Sequence, residues 1–381
     1  MTTKDPVANI NIGDKVTGSF IVRKKLGEGS CGSVWLVETI QGNPSRYAMK
    51  VEPHQKSKDE EILRMEMYVL KKMQFSKHIS KFIASGTQGN YSYMIMSLLG
   101  KDLVDNRRKC PGRKVSHGTT LRLSLQGVQA LEDLHKTGFV HRDVKPCNFA
   151  IGIKNKKILV LFDFGLCRQI MLPDKVGRLR LREPRARVSF RGTVRYCSVN
   201  VHAGKEQGRH DDLYGLLYTM IETTTGTLPW KGLARVDSAK CKQRTSDAVL
   251  MKDCPSSFAE WISMLKKLNY TDTPPYEKIR TALAKNIKDL NVKMTDDYDW
   301  DKISKNEKKQ SKDKLDLSIK DAAEKDRGGD NDTNRDVDES VFTETSVNNY
   351  EEGCAEEDTL DQAPDRMKTE EAADNMKSAD R

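Results

Sequence analysis

The chain opens with short stretches in which apolar and polar positions alternate. FIVRKKL (20–26), SVWLVET (33–39) and YAMKVE (47–52) are rich in β-branched and aromatic residues and are separated by Gly, Asn and Pro, which predicts three strands. From residue 59 the period changes. In DEEILRMEMYVLKKMQ (59–74) the apolar positions Ile62, Leu63, Met67, Leu70 and Met73 fall at the spacing of an amphipathic helix. YSYMIMSLL (91–99) reads as a further strand, closed by Gly100. Beyond it helical spacing dominates. LRLSLQGVQALEDLHKTG (121–138) and DDLYGLLYTMIETTTG (211–226) each end on glycine, which readily takes the left-handed conformation at a helix C-terminus. The order predicts an α+β chain of two lobes. A small β-rich lobe with one long helix covers 14–98, and a larger, mainly helical lobe covers 99–300. Residues 1–13 read as a loose leader.

Past residue 300 the pattern dissolves. Lys, Glu, Asp, Ser and Asn dominate and aromatics almost vanish. Such a segment buries too little apolar surface to offset its ordering entropy, so 301–381 reads as a disordered acidic tail. Charge sharpens the division. The net formal charge is +10, but residues 301–381 carry 14 Lys+Arg against 24 Asp+Glu, which leaves +20 for residues 1–300. A basic body with an acidic tail favours an anionic partner, the tail itself included. None of the eight cysteines stands at a CxxC or Cys/His zinc spacing. The opening MTTKDPVANI is too polar for a signal peptide, and the longest apolar runs, such as ILVLF (158–162), are too short to span a bilayer. A monomer in the cytoplasm, with the nucleus also open to it, reduced thiols and no membrane association are expected.

Candidate chemistry begins at Gly27-Glu28-Gly29-Ser30-Cys31-Gly32. A GxGxxG run alone fits a plain turn or a dinucleotide-binding fingerprint, and Glu52 even stands where a ribose-binding acid would. That fingerprint must open a helix, however, and SVWLVET reads as a strand. A strand–glycine loop–strand hairpin instead folds over nucleotide phosphates, with Val34 covering the base. Lys50 follows Gly32 by eighteen residues in the frame Tyr47-Ala48-Met49-Lys50, as expected of a lysine that pairs phosphate oxygens. Its partner should be a glutamate on the next helix. Glu66, in mid-helix, is preferred to Glu60 and Glu61, whose place near the helix start is explained by the helix dipole.

His141-Arg142-Asp143-Val144-Lys145-Pro146-Cys147-Asn148 matches HRDxxxxN, and Asp163-Phe164-Gly165 follows fifteen residues after Asn148. In that template Asp143 orients the acceptor hydroxyl, Lys145 neutralises the γ-phosphate, and Asn148 and Asp163 hold Mg²⁺. Phosphoryl transfer needs positioning and charge neutralisation more than covalent chemistry, which is why carboxylates, an amide and lysines suffice. ATP and Mg²⁺ are the implied cofactors. Cys147 and Cys167 flank these motifs and read as passive thiols.

The end of the activation segment carries Phe190-Arg191-Gly192-Thr193-Val194-Arg195-Tyr196-Cys197-Ser198-Val199-Asn200 in place of A-P-E. This GTxRYxSxN run, HDDLYGLLY (210–218) and Leu228-Pro229-Trp230 resemble the casein kinase 1 group of Ser/Thr protein kinases. FRGTVRY, GRHDDL, Asn148-Phe149-Ala150 and Asp299-Trp300 look most similar to tau-tubulin kinases. The resemblance covers about residues 14–300 and implies the bilobal protein kinase fold. It implies that Met96 is the gatekeeper, that backbone groups of Ser97 and Leu99 meet the adenine edge, and that Val34, Ala48 and Phe162 line its pocket. By the same resemblance Asp212 anchors the catalytic loop and Thr193 contacts the catalytic Asp and Lys. Arg195 would form part of a basic pocket for acidic or phosphorylated substrate residues. Lys240 and Lys242 flank the position, Cys241 here, from which the second cation of that pocket would come.

Seven arginines between Arg178 and Arg195 agree with an anionic protein substrate. The expected function is transfer of the ATP γ-phosphate to Ser/Thr hydroxyls; the alternative is a pseudokinase scaffold of the same fold. A nucleic-acid partner is not expected, since no RRM, KH, zinc-finger or helix-turn-helix signature accompanies the basic charge. The acidic tail is expected to dock on the arginine-rich cleft and to lower activity.

Overall fold

The computed structural model describes residues 8–29, 32–54 and 62–306. The N-terminal region is built on strands β1 (Lys15–Val16), β2 (Phe20–Gly29), β3 (Gly32–Thr39) and β4 (Arg46–Pro53), then helix α1 (Ile62–Lys72), then β5 (Phe82–Gln88) and β6 (Tyr91–Ser97). The strands form one antiparallel sheet in the order β1-β2-β3-β4-β6-β5. Residues directly opposite one another in an antiparallel ladder point to the same face. Trp35 faces Met49, Val37 faces Tyr47, and Met49 and Val51 face Ile95 and Tyr93. These side chains build one apolar layer. The opposite face carries Val34, Leu36, Ala48, Lys50, Met94 and Met96 and looks into the cleft between the two regions.

The apolar layer needs a cover, and residues 8–13 supply it. Ile10 is buried in it, Asn9 donates its amide to Asn90 Oδ1 at 3.0 Å, and Gly13 donates to Val22 O at 2.8 Å. The expected loose leader is therefore ordered from residue 8 onward. The strand β5 was missed by pattern because its burial hardly alternates.

After β6 the chain runs through β7 (Leu99–Asp102) into α2 (Leu103–Arg108) and the long helix α3 (His117–Lys136). Strands β8 (Phe139–Val140), β9 (Phe149–Gly152) and β10 (Leu159–Leu161) frame the catalytic loop, with β9 between β10 and β7. The segment that follows forms β11 (Arg168–Gln169), β12 (Met171–Pro173) and β13 (Leu179–Leu181), β11 pairing with β8 and β12 with β13. Helices α4 (Val199–His202), α5 (Arg209–Thr225), α6 (Arg235–Arg244), α7 (Asp247–Leu250), α8 (Ser257–Leu265) and α9 (Tyr276–Asp289) complete the C-terminal region. Its core is the contact of α3 with α5, so close at Gly127 that a Cβ there would lie 2.7 Å from Leu216 Cδ1. Among the described residues no helix is long and apolar enough to cross a membrane.

The end of the folded body is pinned by charge. Arg122, almost wholly buried in α3, donates to the carbonyls of Asp296 and Asp297 at 2.5 and 3.1 Å and lies over the Tyr298 ring. Asp299 accepts from Ser116 N and Oγ at the start of α3. Residues 299–306 are helical and Ile303 packs on the core, so the expected boundary at residue 300 falls inside a helix. The rest of the acidic tail, and its expected docking, lie outside the described residues.

Asp102 offers a test of the join between the regions. Its carboxylate caps α2 by accepting from Asp105 N at 2.8 Å, yet burial outweighs that bond and pushes its pKa up to about 6. A carboxyl whose folded pKa is raised favours the neutral form, so stability is full below pH ~4 and declines as pH rises toward 6. Asp102→Asn keeps a cap of similar quality and should remove that decline, gaining on the order of 1–3 kcal/mol at pH 8. Urea unfolding across this pH range checks it; parallel profiles for the two proteins would contradict the assignment.

Candidate active site

The cleft face of the sheet places Lys50 opposite Val34 on β3 and Met94 on β6. Two residues further along β4, and so on the same face, Glu52 accepts from Ile62 N and Leu63 N, each at 2.9 Å. Its carboxylate thus satisfies two amides at the start of α1 and fixes the helix against the sheet. With α1 so placed, Glu66 meets Lys50, Oε2 to Nζ at 2.6 Å. Glu52 is a structural anchor, which explains the acid that resembled a ribose ligand. Glu60 and Glu61 lie outside the described residues.

Lys50 Nζ also lies 3.2 Å from Asp163 Oδ1. Burial alone would lower the ammonium's pKa, but Asp163 and Glu66 outweigh it and hold the lysine charged, above its ordinary range. Lys50, with help from His141 and Lys145, holds Asp163 at about 2 against the effect of burial. Burial pushes the Glu66 carboxyl up, and Lys50 opposes it. Phe164 is buried and meets the His141 ring edge-on at 5.7 Å, which turns Asp163 toward the cleft. Asp163 has φ 63°, unusual for a residue with a side chain. At Gly165 a Cβ would lie 2.5 Å from Ile62 Cγ2 of α1, so this glycine is required by contact.

The catalytic loop hangs on one carboxylate. Asp212 of α5, wholly inside the protein, accepts from His141 N at 2.7 Å, Arg142 N at 2.8 Å and His135 Nε2 at 2.8 Å. Arg142 takes φ 69° there and donates through Nε to Leu166 O at 2.6 Å. The loop so held presents Asp143. Thr193 Oγ1 donates to Asp143 Oδ1 at 2.7 Å, Lys145 Nζ lies 3.0 Å from Oδ2, and Asn148 Nδ2 donates to the Asp143 carbonyl at 2.8 Å. Gly192, with φ +107°, lets the substrate-side segment approach this loop; a Cβ would lie 2.4 Å from Arg142 O.

Among the described residues no cluster of three or more His, Cys, Asp or Glu could hold a metal alone. The donors that fit a hard divalent cation are the Asp163 carboxylate and the amide oxygen of Asn148, two oxygens that need phosphate oxygens to complete a shell. Asn148 O accepts from Phe162 N at 3.0 Å, which keeps these two donors in register.

The remaining expected residues are placed unevenly. Gly27, Glu28 and Gly29 pair with Val34, Ser33 and Gly32 across the β2–β3 hairpin, whose turn residues Ser30 and Cys31 lie outside the described set. Glu28 pairs with Lys25 on the surface. Ala48 opposes Met96, and Phe162 is half-buried just before Asp163. Leu36 and Met94 share the cleft face, and strand parity alone could have found them. Ser97 donates its amide to Lys81 O and its hydroxyl accepts from Lys81 N, both at 2.9 Å, which removes that amide as an adenine contact. Leu99 begins β7 beyond it.

The expected basic pocket is corrected. Arg195 is buried, its Nη1 3.4 Å from Glu222 Oε1, because the fully buried Glu222 carboxylate draws in Arg107, Arg195 and the Tyr196 hydroxyl together. Lys242 is also buried and donates to Val194 O and Cys197 O at 2.6 and 2.7 Å; burial lowers its pKa to about 8. Lys240 is exposed, 3.8 Å from Asp237. Of the two flanking thiols, Cys167 is buried and its pKa is pushed well up, as suits a passive group.

Glu206, not expected from sequence, is buried and binds Arg185 in two bonds of 2.6 and 3.1 Å and Arg168 at 3.3 Å. It ties the activation segment to the base of the site. Glu206→Gln leaves two guanidinium groups short of their counter-charge and should cost about 3 kcal/mol of stability. Urea denaturation checks it; a loss under about 0.5 kcal/mol, the scale of an exposed pair, would contradict the role.

Comparison with known proteins agrees with this geometry. The protein kinase domain family matches residues 20–312. A Dictyostelium discoideum protein named as a serine/threonine-protein kinase is 39% identical over 292 residues, covering 76% of this chain and 58% of that protein's length. A Caenorhabditis elegans protein named as a casein kinase I is 34% identical over 286 residues, covering 72% of this chain and 81% of the relative. The serine/threonine-protein kinase spe-6 of the same organism is 32% identical over 303 residues, covering 76% and 77%. With Lys50, Glu66, Asp143, Asn148 and Asp163 brought into one cleft, the chain belongs to the protein kinase family, among the serine/threonine protein kinases.

Proposed function

We propose that the protein transfers the γ-phosphate of ATP to Ser and Thr hydroxyls of protein substrates, with a preference for acidic or phosphorylated sites, as a member of the casein kinase 1 group nearest to tau-tubulin kinases. The observation that carries the reading is the Asp143 carboxylate, held by Thr193 and Lys145 at hydrogen-bond distance on a loop anchored by Asp212. A carboxylate so oriented accepts the proton of the attacking hydroxyl, while Lys145 and Lys50 supply positive charge for the phosphate oxygens. Mg²⁺ bound by Asp163 and Asn148 would neutralise charge on the β- and γ-phosphates. The cleft face of the sheet, apolar at Val34, Ala48 and Met96, suits a flat base. The excess of positive charge in residues 1–300 supports an anionic substrate.

Transfer of labelled γ-phosphate to Ser peptides, neutral and acidic, tests this with wild type and Asp143→Asn. The variant should lose roughly a thousandfold in rate, the range of a missing general base, with its ATP affinity retained. The wild type should have the lower KM for acidic peptide. A variant rate within a few-fold of wild type would contradict the assignment of Asp143.

A further inference from the structure

The arginines beside the acceptor site are not equally available to a substrate. Arg180 donates to Asp174 at 2.8 Å, Arg185 is held by Glu206, and Arg195 by Glu222. Lys242 is spent on the backbone carbonyls of Val194 and Cys197. Of the cations that resemblance placed at the pocket, Arg195 and Lys242 are therefore occupied inside the fold, and Lys240 is an exposed lysine 3.8 Å from Asp237.

Arg235, the first residue of α6, differs from all of these. Its guanidinium lies 4.2 Å over the centre of the Phe190 ring, and among the described residues no carboxylate pairs with it. Nearby, Asp237 is mostly exposed and stands 3.8 Å from Lys240. A guanidinium stacked on a ring keeps the N–H groups of its edge free for hydrogen bonds, and stacking has already restricted its motion. Phe190 precedes Gly192 by two residues, at most about 7 Å of chain, and a Cβ on Gly192 would stand 3.8 Å from Asp143 Oδ1. The Phe190 ring also packs against His202 at 6.1 Å. His202 is held down at about 4 by burial, Lys242 and Arg235, so the surroundings of this guanidinium are positive.

We propose that Arg235, held on Phe190, is the specificity-determining residue that reads an acidic or phosphorylated side chain of the protein substrate, within a few residues of the accepting hydroxyl. The inference rests on the proposed kinase reading and replaces Arg195 and Lys242 in the recognition of the anion. A two-pronged carboxylate or phosphoryl group matches the fork of a stacked arginine, and Arg235, half-buried and with no carboxylate partner among the described residues, breaks no ion pair when it accepts such a partner.

The test uses the full chain and three Ser peptides that differ only in one flanking residue: neutral, glutamate or phosphoserine. KM and kcat are measured separately for wild type, Arg235→Gln, Arg235→Lys and Arg191→Ala, with thermal melts of each. Wild type should prefer both anionic peptides, and the phosphoserine peptide more if phosphoryl is the natural ligand. Arg235→Gln should raise KM for the anionic peptides on the order of five- to tenfold relative to the neutral one, as for loss of one charge-assisted contact. Arg235→Lys should restore only part of the preference, because an ammonium lacks the stacked fork. Arg191→Ala removes an exposed arginine of the same segment and should shift the preference less than twofold, the scale of a screened surface charge. An undiminished preference in Arg235→Gln, or an equal loss in Arg191→Ala, overturns the proposal while the acidic-site reading stands. A wild type with no preference for either anionic peptide overturns both.

Discussion

A single ammonium group, Lys50 Nζ, lies between two carboxylates that belong to separate parts of the chain. Glu66 brings helix α1, and Asp163 brings the start of the activation segment. Glu66 could not sit so deep without a counter-charge, since an unpaired buried acid costs several kcal/mol, whereas Asp163, its side chain 42% exposed, is drawn to the same ammonium from the open side of the cleft. The lysine is in turn held charged against burial by both carboxylates. The three positions are therefore mutually conditional. Moving α1 away would release Glu66, and turning Phe164 out of the core would release Asp163.

Buried acids recur as the means by which irregular backbone is held. Glu52 satisfies the first amides of α1, and Asp212 satisfies those of His141 and Arg142. Asp211 accepts from Ser198 Oγ at 2.5 Å and from Gly208 N at 2.7 Å. Glu206 and Glu222 gather arginines instead. Asp211 and Asp212 hold loop backbone that has no ladder or helix of its own to satisfy its polar groups, and Glu52 does the same for the unsatisfied amides at the start of α1. Cost and use coincide: these acids are desolvated, but their partners are numerous and close, so the loops carrying Asp143 and Thr193 arrive in one geometry.

Much of this was legible in the chain. The glycine hairpin, Lys50, the catalytic loop and Asp163-Phe164-Gly165 are motifs whose spacing reflects contact, and the structure brings them together. Glu66 was separable from Glu60 and Glu61 by its place in the helix. Long-range pairings were not legible. Arg195 and Lys242 carry charge in the right neighbourhood, but nothing local reveals that Glu222, on α5, or the Val194 and Cys197 carbonyls claim them. Glu206 lies between segments whose proximity only the fold creates. The order of residues 8–13 escaped notice because Ile10 is one apolar residue in a polar stretch, and its burial depends on the exposed face of a sheet formed later in the chain.

The central claim is that the Lys50 charge must be held at a fixed place between Glu66 and Asp163. Lys50→Arg tests it most directly, since charge is kept while the compact ammonium becomes a longer planar fork. With Mg-ATP and a Ser peptide, kcat should fall by about a hundredfold, the penalty for misplacing a reacting group by roughly 1 Å. The melting temperature should change little. A kcat within threefold of wild type would mean that charge alone suffices, and would contradict the account.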